Sequence, residues 1–188
     1  MKKHHYGMVL LMAVALALAV TACAVKPQAA IDAAQAAVTA AVDAGADKYA
    51  PAELKTIQDN LIAALDQVTN KKYKEAGLAL ATIKTDADNL LAAIPAKIEE
   101  AKTGALGLQT AVQTTLADVK TLFEKNKWKI KRADRTALDT EIKGLDGILP
   151  EVQTAVDGQD WIGAAAKATT IKDSATAILE KINKLLGK

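Results

Sequence analysis

The sequence is poor in the side chains that most catalytic and metal sites use. Its 188 residues include one cysteine, two histidines and three methionines. The histidines are His4 and His5, and no methionine follows Met12. Without histidine in the rest of the chain, Ser/His/Asp and Cys/His nucleophilic sites are excluded there. Zinc, copper and haem sites also lose their usual ligands.

Other catalytic patterns are missing too. The Glu-x-x-His motif of helical di-iron sites and the Gly-rich phosphate loop do not occur in the sequence. The carboxylate pairs Asp86/Asp88 and Glu99/Glu100 are in helical stretches, where charged side chains are mostly solvated. We therefore expect a protein that is not an enzyme and that binds no metal or cofactor.

The N-terminal residues differ from the rest of the chain. Lys2 and Lys3 precede a run from Met8 to Val20 that is continuously apolar, and no acidic residue occurs before Asp32. This run is shorter than the roughly 20 residues that a bilayer span requires. A charged start, a short apolar core and small residues after it are typical of an export signal. We predict a signal peptide over residues 1–22.

The end of this segment resembles a known motif. Val20-Thr21-Ala22-Cys23 is similar to the lipobox of bacterial lipoproteins. The resemblance implies a diacylglyceryl group on the Cys23 thiol, cleavage before Cys23 and acylation of the new amine. Two or more acyl chains hold a protein stably on a membrane, whereas one binds only marginally. The alternative is a secretory signal or N-terminal anchor with an incidental cysteine.

Residues 23–28 would then form a lipidated tether. In proteobacterial lipoproteins, Asp after the cysteine usually means retention at the inner membrane. By that resemblance Ala24 implies the outer membrane, with the body facing the periplasm. Loss of Lys2 and Lys3 from 24 basic residues leaves 22, which balance the 22 acidic residues. This neutral balance gives no indication of a nucleic-acid partner.

An internal repeat organises the body of the chain. Residues 53–94 align without a gap to residues 141–182, at an offset of 88. Each copy has apolar side chains at steps of three and four residues, which is typical of amphipathic helices. Alanine, leucine and lysine, which are abundant, also favour helix. We predict an all-α antiparallel helical bundle of two diverged three-helix repeats, 29–94 and 95–188.

Several boundaries follow from local signals. We expect a helix over 28–46 and a separate one over 105–126, with Pro95 beginning or kinking the helix that leads into the second half. Thr136 followed by Asp139 resembles a capping box.

The hairpin corners carry matching residues. Tyr73 with Ala76, and Trp161 with Ala164, have the same spacing at the offset of 88. We interpret each ring as filling a hairpin corner, where the alanine lets two backbones approach. Asp160 is suited to cap the last helix.

The first hairpin also resembles a family. The domain of unknown function numbered 4398 consists of small helical envelope proteins, many of them lipoproteins. The resemblance covers about residues 49–94 and implies fold and location, without catalytic residues. The second copy lacks the Tyr-Ala-Pro opening. The residues that carry the resemblance are Tyr49-Ala50-Pro51-Ala52-Glu53-Leu54, Leu61, Ala64, Tyr73, Glu75, Ala76 and Ala79.

One stretch is a candidate contact surface. Residues 124–135, which read EKNKWKIKRADR, mix lysine with tryptophan. Such mixtures suit an anionic interface, and the partner would be lipid headgroups, an anionic envelope polymer or another envelope protein. The plainer interpretation, which we favour, is a solvated connector with the tryptophan packed onto the bundle. We name the candidate patch the Lys/Trp corner, and it comprises Lys127, Trp128, Lys129, Lys131 and Arg132.

Two functions are consistent with these patterns. The first is a lipid-anchored, non-enzymatic helical protein of the cell envelope with a scaffolding or interaction role. The second is a periplasmic carrier, in which the bundle holds a lipid or another apolar molecule between its helices. A high alanine and leucine content with few aromatic residues favours such a plastic interior.

Lipidation gives a direct prediction. Growth with radiolabelled palmitate should label the protein, and Cys23→Ser should abolish both the label and membrane retention, because the thiol is the predicted attachment point. The label is read on a gel of membrane and soluble fractions. Unchanged retention of the variant would contradict the anchor.

Overall fold

The computed structural model describes residues 25–187, and within them the chain is 90% helical without any strand. The predicted all-α fold is therefore confirmed. Cys23 and Ala24 lie outside the described residues. Between Asn126 and Ile130 a short 3₁₀ helix covers Lys127–Lys129. The described α-helices are α1 (Gln28–Asp43), α2 (Ala46–Tyr49), α3 (Pro51–Thr69), α4 (Tyr73–Asn126), α5 (Arg132–Asp157) and α6 (Trp161–Leu185).

The chain divides into two compact units. The first extends to Ala92 and the second begins at Ala93, so the division falls within α4. Unit 1 therefore contains α1, α2, α3 and the first part of α4. Unit 2 contains the rest of α4, the 3₁₀ helix, α5 and α6.

In unit 1, α1 and α2 pack against α3. The helix predicted over 28–46 ends instead at Asp43, because Gly45 adopts a left-handed backbone (φ 96°) that glycine enters without a steric penalty. Pro51 occupies the first turn of α3, where its missing N–H costs nothing. Many buried residues of this unit are alanines, which let helices approach closely. The buried side chains of α1 are Ile31, Ala34, Ala37, Val38 and Ala41.

In unit 2, α5 and α6 form an antiparallel hairpin whose apolar stripes meet those of the last part of α4. Each stripe repeats at three and four residues, as expected for helices with one buried face. Asp160 caps α6 as predicted, since its carboxylate accepts the backbone N–H of Gly163 (3.2 Å). The core includes Val112, Leu116, Val119 and Phe123 of α4, Leu138, Ile142, Leu145 and Val152 of α5, and Ala168, Ile171, Ala175, Ile178 and Ile182 of α6.

The turns α3–α4 and α5–α6 share one geometry. Lys71 (φ 59°) and Gln159 (φ 57°) are left-handed, and 159 − 71 = 88, the offset of the predicted repeat. The N–H of Lys72 donates to the carbonyl of Gln67 (2.9 Å), and in the second turn residue 160 bonds to residue 155 in the same way (2.8 Å). Both turns are therefore Schellman motifs, in which a left-handed residue closes the helix end.

Buried positions also correspond across this offset. Ala76 and Ala164 are both fully buried, and the fully buried Ile94 matches Ile182. The internal repeat stays a prediction, and these correspondences favour it. The remaining buried pairs on α4 and α6 are Leu80/Ala168, Ile83/Ile171, Ala87/Ala175 and Leu90/Ile178.

The prediction of a separate helix over 105–126 was wrong, and of the two alternatives for Pro95, beginning or kinking a helix, the first was wrong. Pro95 does not begin a helix and 105–126 is not separate, because α4 runs from Tyr73 to Asn126 with Pro95 inside it. Ile94 and Ala105 are buried on either side of the proline, so packing offsets the hydrogen bond that proline removes.

The Thr136 capping box is also absent. α5 begins at Arg132, and the Thr136 hydroxyl donates back to the Arg132 carbonyl (3.0 Å). Asp139 pairs instead with Lys143 (2.6 Å), one turn further along. A threonine one turn inside a helix bonds to the preceding turn and cannot cap the helix start.

The apolar stripe of α4 predicts that two nearby leucines contribute very differently to stability. Leu80 is fully buried (0% exposed) and Leu78 is 68% exposed. We expect Leu80→Ala to lower the free energy of unfolding by about 2–5 kcal/mol, because it removes apolar contacts and leaves a cavity. Leu78→Ala should change it by less than about 0.5 kcal/mol. Urea titration followed by circular dichroism measures both, and equal losses would contradict the assigned stripe.

Candidate interaction surface at the Lys/Trp corner

The Lys/Trp corner is built from the end of α4, the 3₁₀ helix and the start of α5. After Asn126 the backbone tightens into the 3₁₀ turn, and Ile130 then takes an extended conformation (φ −92°, ψ 136°). The N–H of Ile130 donates to the Lys127 carbonyl (3.3 Å), which closes the turn. Ile130 is buried and packs in the core of unit 2. Burial of this one apolar side chain fixes which side of the segment faces the solvent.

Trp128 faces outward. The prediction that it packs onto the bundle is wrong, because its side chain is 72% exposed. Its indole N–H donates to the Lys125 carbonyl (3.1 Å), and the Lys129 ammonium lies 4.9 Å from the ring centre. The two contacts fix the ring against its own backbone, while most of its apolar surface stays in water.

The charges around the ring are mainly positive. Lys129, Lys131 and Arg132 are exposed, and Lys127 pairs with Glu124 (2.6 Å). Exposed pairs of this kind contribute little to stability, at most about 1 kcal/mol. The corner therefore presents an exposed indole with the Lys129 ammonium over its ring and with Lys131 and Arg132 exposed close by in the chain. We call these three cationic side chains the cationic rim.

A cavity of about 310 Å³ lies beside this corner. It is lined by Phe123 together with charged and polar side chains, among them Arg135 and Asp139. The nearby Asp139 carboxylate, through a hydrogen bond and its charge, raises the pKa of Lys143 above its ordinary value. Opposite charges share this cavity, which makes it suited to polar groups of a partner.

The other predicted site residues lie at the hairpin turns. Tyr73 and Trp161 are the first residues of α4 and α6 and are half-buried, whereas Ala76 and Ala164 are fully buried. The structure places these residues at two separate turns, and neither turn includes the Lys/Trp corner.

A second cluster of lysines was not among the predicted site residues. Lys71, Lys72 and Lys74 surround the first hairpin turn and are exposed, as is Lys26 just before α1. The sequence signal was the KKYK run at residues 71–74. Its proximity to the start of α1 is a tertiary feature that this run alone does not indicate.

Metal-ligand clusters and membrane-spanning helices are both absent from the described part of the chain. Over residues 25–187, no group of three or more His, Cys, Asp or Glu side chains could hold a metal ion. None of the helices in that range has the length and apolarity to cross a membrane.

No protein-family model matches the chain, and searches of curated proteins and of solved structures found no match. The resemblance to the domain of unknown function and the lipobox therefore stay predictions. Any role of the Lys/Trp corner must therefore be inferred from the geometry of its residues alone.

The two tryptophans predict distinct fluorescence behaviour. In Trp161→Phe the remaining Trp128 should be quenched steeply by iodide, because it is exposed and the Lys129 ammonium beside it attracts the anion. In Trp128→Phe the half-buried Trp161 should be quenched several-fold less. Stern–Volmer slopes measure this at low and high salt. Equal slopes would contradict the outward position of Trp128.

Proposed function

We propose that this chain is a lipid-anchored, non-enzymatic helical protein of the bacterial cell envelope that acts by binding a partner. The lipobox-like Val20-Thr21-Ala22-Cys23 supports the anchor, and Ala24 favours the outer membrane with the body facing the periplasm. Residues 29–188 contain no histidine, cysteine or methionine, which supports an interaction role over a catalytic one.

The observation that carries the interaction role is the exposed Trp128. An exposed indole costs hydrophobic free energy that burial would recover, so a large exposed aromatic residue marks a candidate contact. Tryptophan and arginine are also the residues most enriched at binding hot spots. Since the indole is already held by Lys125 and Lys129, little rotamer freedom is lost on binding.

The cationic rim points to an anionic partner. Lys129, Lys131 and Arg132 would meet an anionic envelope polymer, or an acidic surface on another envelope protein, next to the ring. Complementary charge speeds the association of the two partners and sets their relative orientation, while the indole supplies most of the affinity. The corner would thus connect the anchored body to a second component of the envelope.

A carrier is the second candidate. A groove of about 480 Å³ between α5 and α6 has an apolar floor that includes Leu145 and Ile178. The ion pair Glu141–Lys181 (2.6 Å) crosses its rim. Volumes of this order suit small ligands. Native mass spectrometry of the purified protein would detect a co-purifying apolar molecule, and a clean apo mass would count against this function.

Photo-crosslinking tests the interaction role. A photoreactive phenylalanine analogue in place of Trp128 should form a discrete adduct in intact cells, whereas the same analogue in place of Ile148, a partly exposed residue of α5, should not. Once the adduct identifies the partner, Trp128→Ala should weaken binding by about 2 kcal/mol, or about 30-fold in Kd. An unchanged Kd, or adducts of equal yield at both positions, would refute the role of the corner.

A further inference from the structure

A second cationic surface lies on unit 1, at the turn between α3 and α4. Lys71 and Lys72 form this turn, Lys74 is in the first turn of α4, and Lys26 precedes α1. All four are exposed. Glu75 is the acidic residue within the same stretch, so four positive charges against one leave a net charge of +3.

The described chain begins at this surface. A β-carbon built on Gly77 would lie 3.9 Å from the β-carbon of Pro27, so the start of α1 passes beside the first turns of α4. Lys26 immediately precedes Pro27, so its backbone also lies near the first turns of α4. Lys74 and Leu78 are four residues apart on α4 and share one face of the helix.

Apolar side chains accompany the charges. Val25 is 86% exposed and Leu78 is 68% exposed. Lysines beside exposed aliphatic side chains are typical of surfaces that rest at a lipid–water interface, where the ammonium groups reach the headgroups and the apolar groups enter the layer below. We name this surface the basic turn, comprising Val25, Lys26, Lys71, Lys72, Lys74 and Leu78.

The second hairpin shows that the fold does not require these charges. Its turn has the same left-handed residue and the same backbone hydrogen bonds. Yet the positions of Lys71, Lys72 and Lys74 are occupied there by Gln159, Asp160 and Ile162, and that of Leu78 by Ala166. The lysines are therefore independent of the turn geometry, and they are found at the turn beside the N-terminal tether.

We propose that the basic turn rests on an anionic phospholipid surface, that of the membrane that holds Cys23. This inference rests on the proposed lipid anchor. Cys23 is four residues before Pro27, and an extended chain of that length spans at most about 14 Å. The tether thus keeps the basic turn within reach of the headgroups, where each lysine strengthens attraction to anionic lipid by about fivefold.

Lysine acetylation on vesicles tests this contact. The full chain is expressed in a bacterium, extracted from its membranes and reconstituted into vesicles of phosphatidylcholine, with or without phosphatidylglycerol. A water-soluble acetylating reagent then modifies accessible lysines, and mass spectrometry gives the rate at each. Lys26, Lys71, Lys72 and Lys74 should react at least about fivefold more slowly on the anionic vesicles. Equal rates on both vesicle types would overturn the proposal.

Matched charge reversals locate the contact. Lys71→Glu/Lys72→Glu/Lys74→Glu should restore the fast acetylation of Lys26 on anionic vesicles. The control Lys125→Glu/Lys167→Glu/Lys184→Glu changes the charge equally on exposed residues of unit 2 outside the Lys/Trp corner and should leave Lys26 protected. Protection of Lys26 in the first variant, or its loss in both, would overturn the proposal. Circular dichroism checks that both variants are folded.

Failure of the anchor can be told apart from failure of this contact. If the intact mass shows no acyl chains, the proposed anchor is wrong. Residues 23–188, expressed without the predicted signal peptide, then carry a free thiol at Cys23, which adds across the double bond of a maleimide-bearing lipid to form a thioether. The same lysine rates on these vesicles then support or overturn the contact without cellular lipidation.

Discussion

Close helix packing at small side chains is the constraint on which the rest of this structure depends. The chain has few aromatic residues to fill space between helices, so its helices must approach closely to exclude water. Ala76 and Ala164 are fully buried beside the two turns, and further alanines repeat along α1, α4 and α6. An alanine removes little apolar area by itself. Its contribution is to let the adjoining isoleucines and leucines meet at the density of a protein interior.

This constraint explains why the buried positions of the two hairpins correspond, whereas the exposed residues of their turns differ. Buried positions such as Ile83/Ile171 and Ile94/Ile182 match across the offset of 88, and both turns close with the same Schellman geometry. A buried exchange disturbs several neighbours at once, whereas exposed positions are free to change. The first turn carries lysines where the second carries glutamine, aspartate and isoleucine. Unit 2 carries its own cationic surface around Trp128.

The basic turn and the Lys/Trp corner therefore differ in the kind of partner that their side chains suit. The basic turn combines flexible lysines with aliphatic side chains, which suits a fluid lipid surface that has no fixed pattern of contacts. The Lys/Trp corner has a ring held by a hydrogen bond to Lys125 and by the Lys129 ammonium. A held ring suits a partner with a defined shape, because binding then costs less conformational entropy.

The sequence by itself determined the helical class, the turns and the cap at Asp160, since these follow from side-chain periodicity and local hydrogen bonding. The predictions of lipid attachment at Cys23 and of sorting by Ala24 rest on the sequence alone. Only the tertiary structure decided that α4 continues through Pro95, because the outcome depends on burial on both sides of the proline. It also decided that Ile130 turns inward and Trp128 outward, and that Pro27 meets Gly77. Some of those outcomes depend on contacts between segments that are distant in the chain, and others on which of two side chains takes one buried position. A local sequence pattern contains neither kind of information.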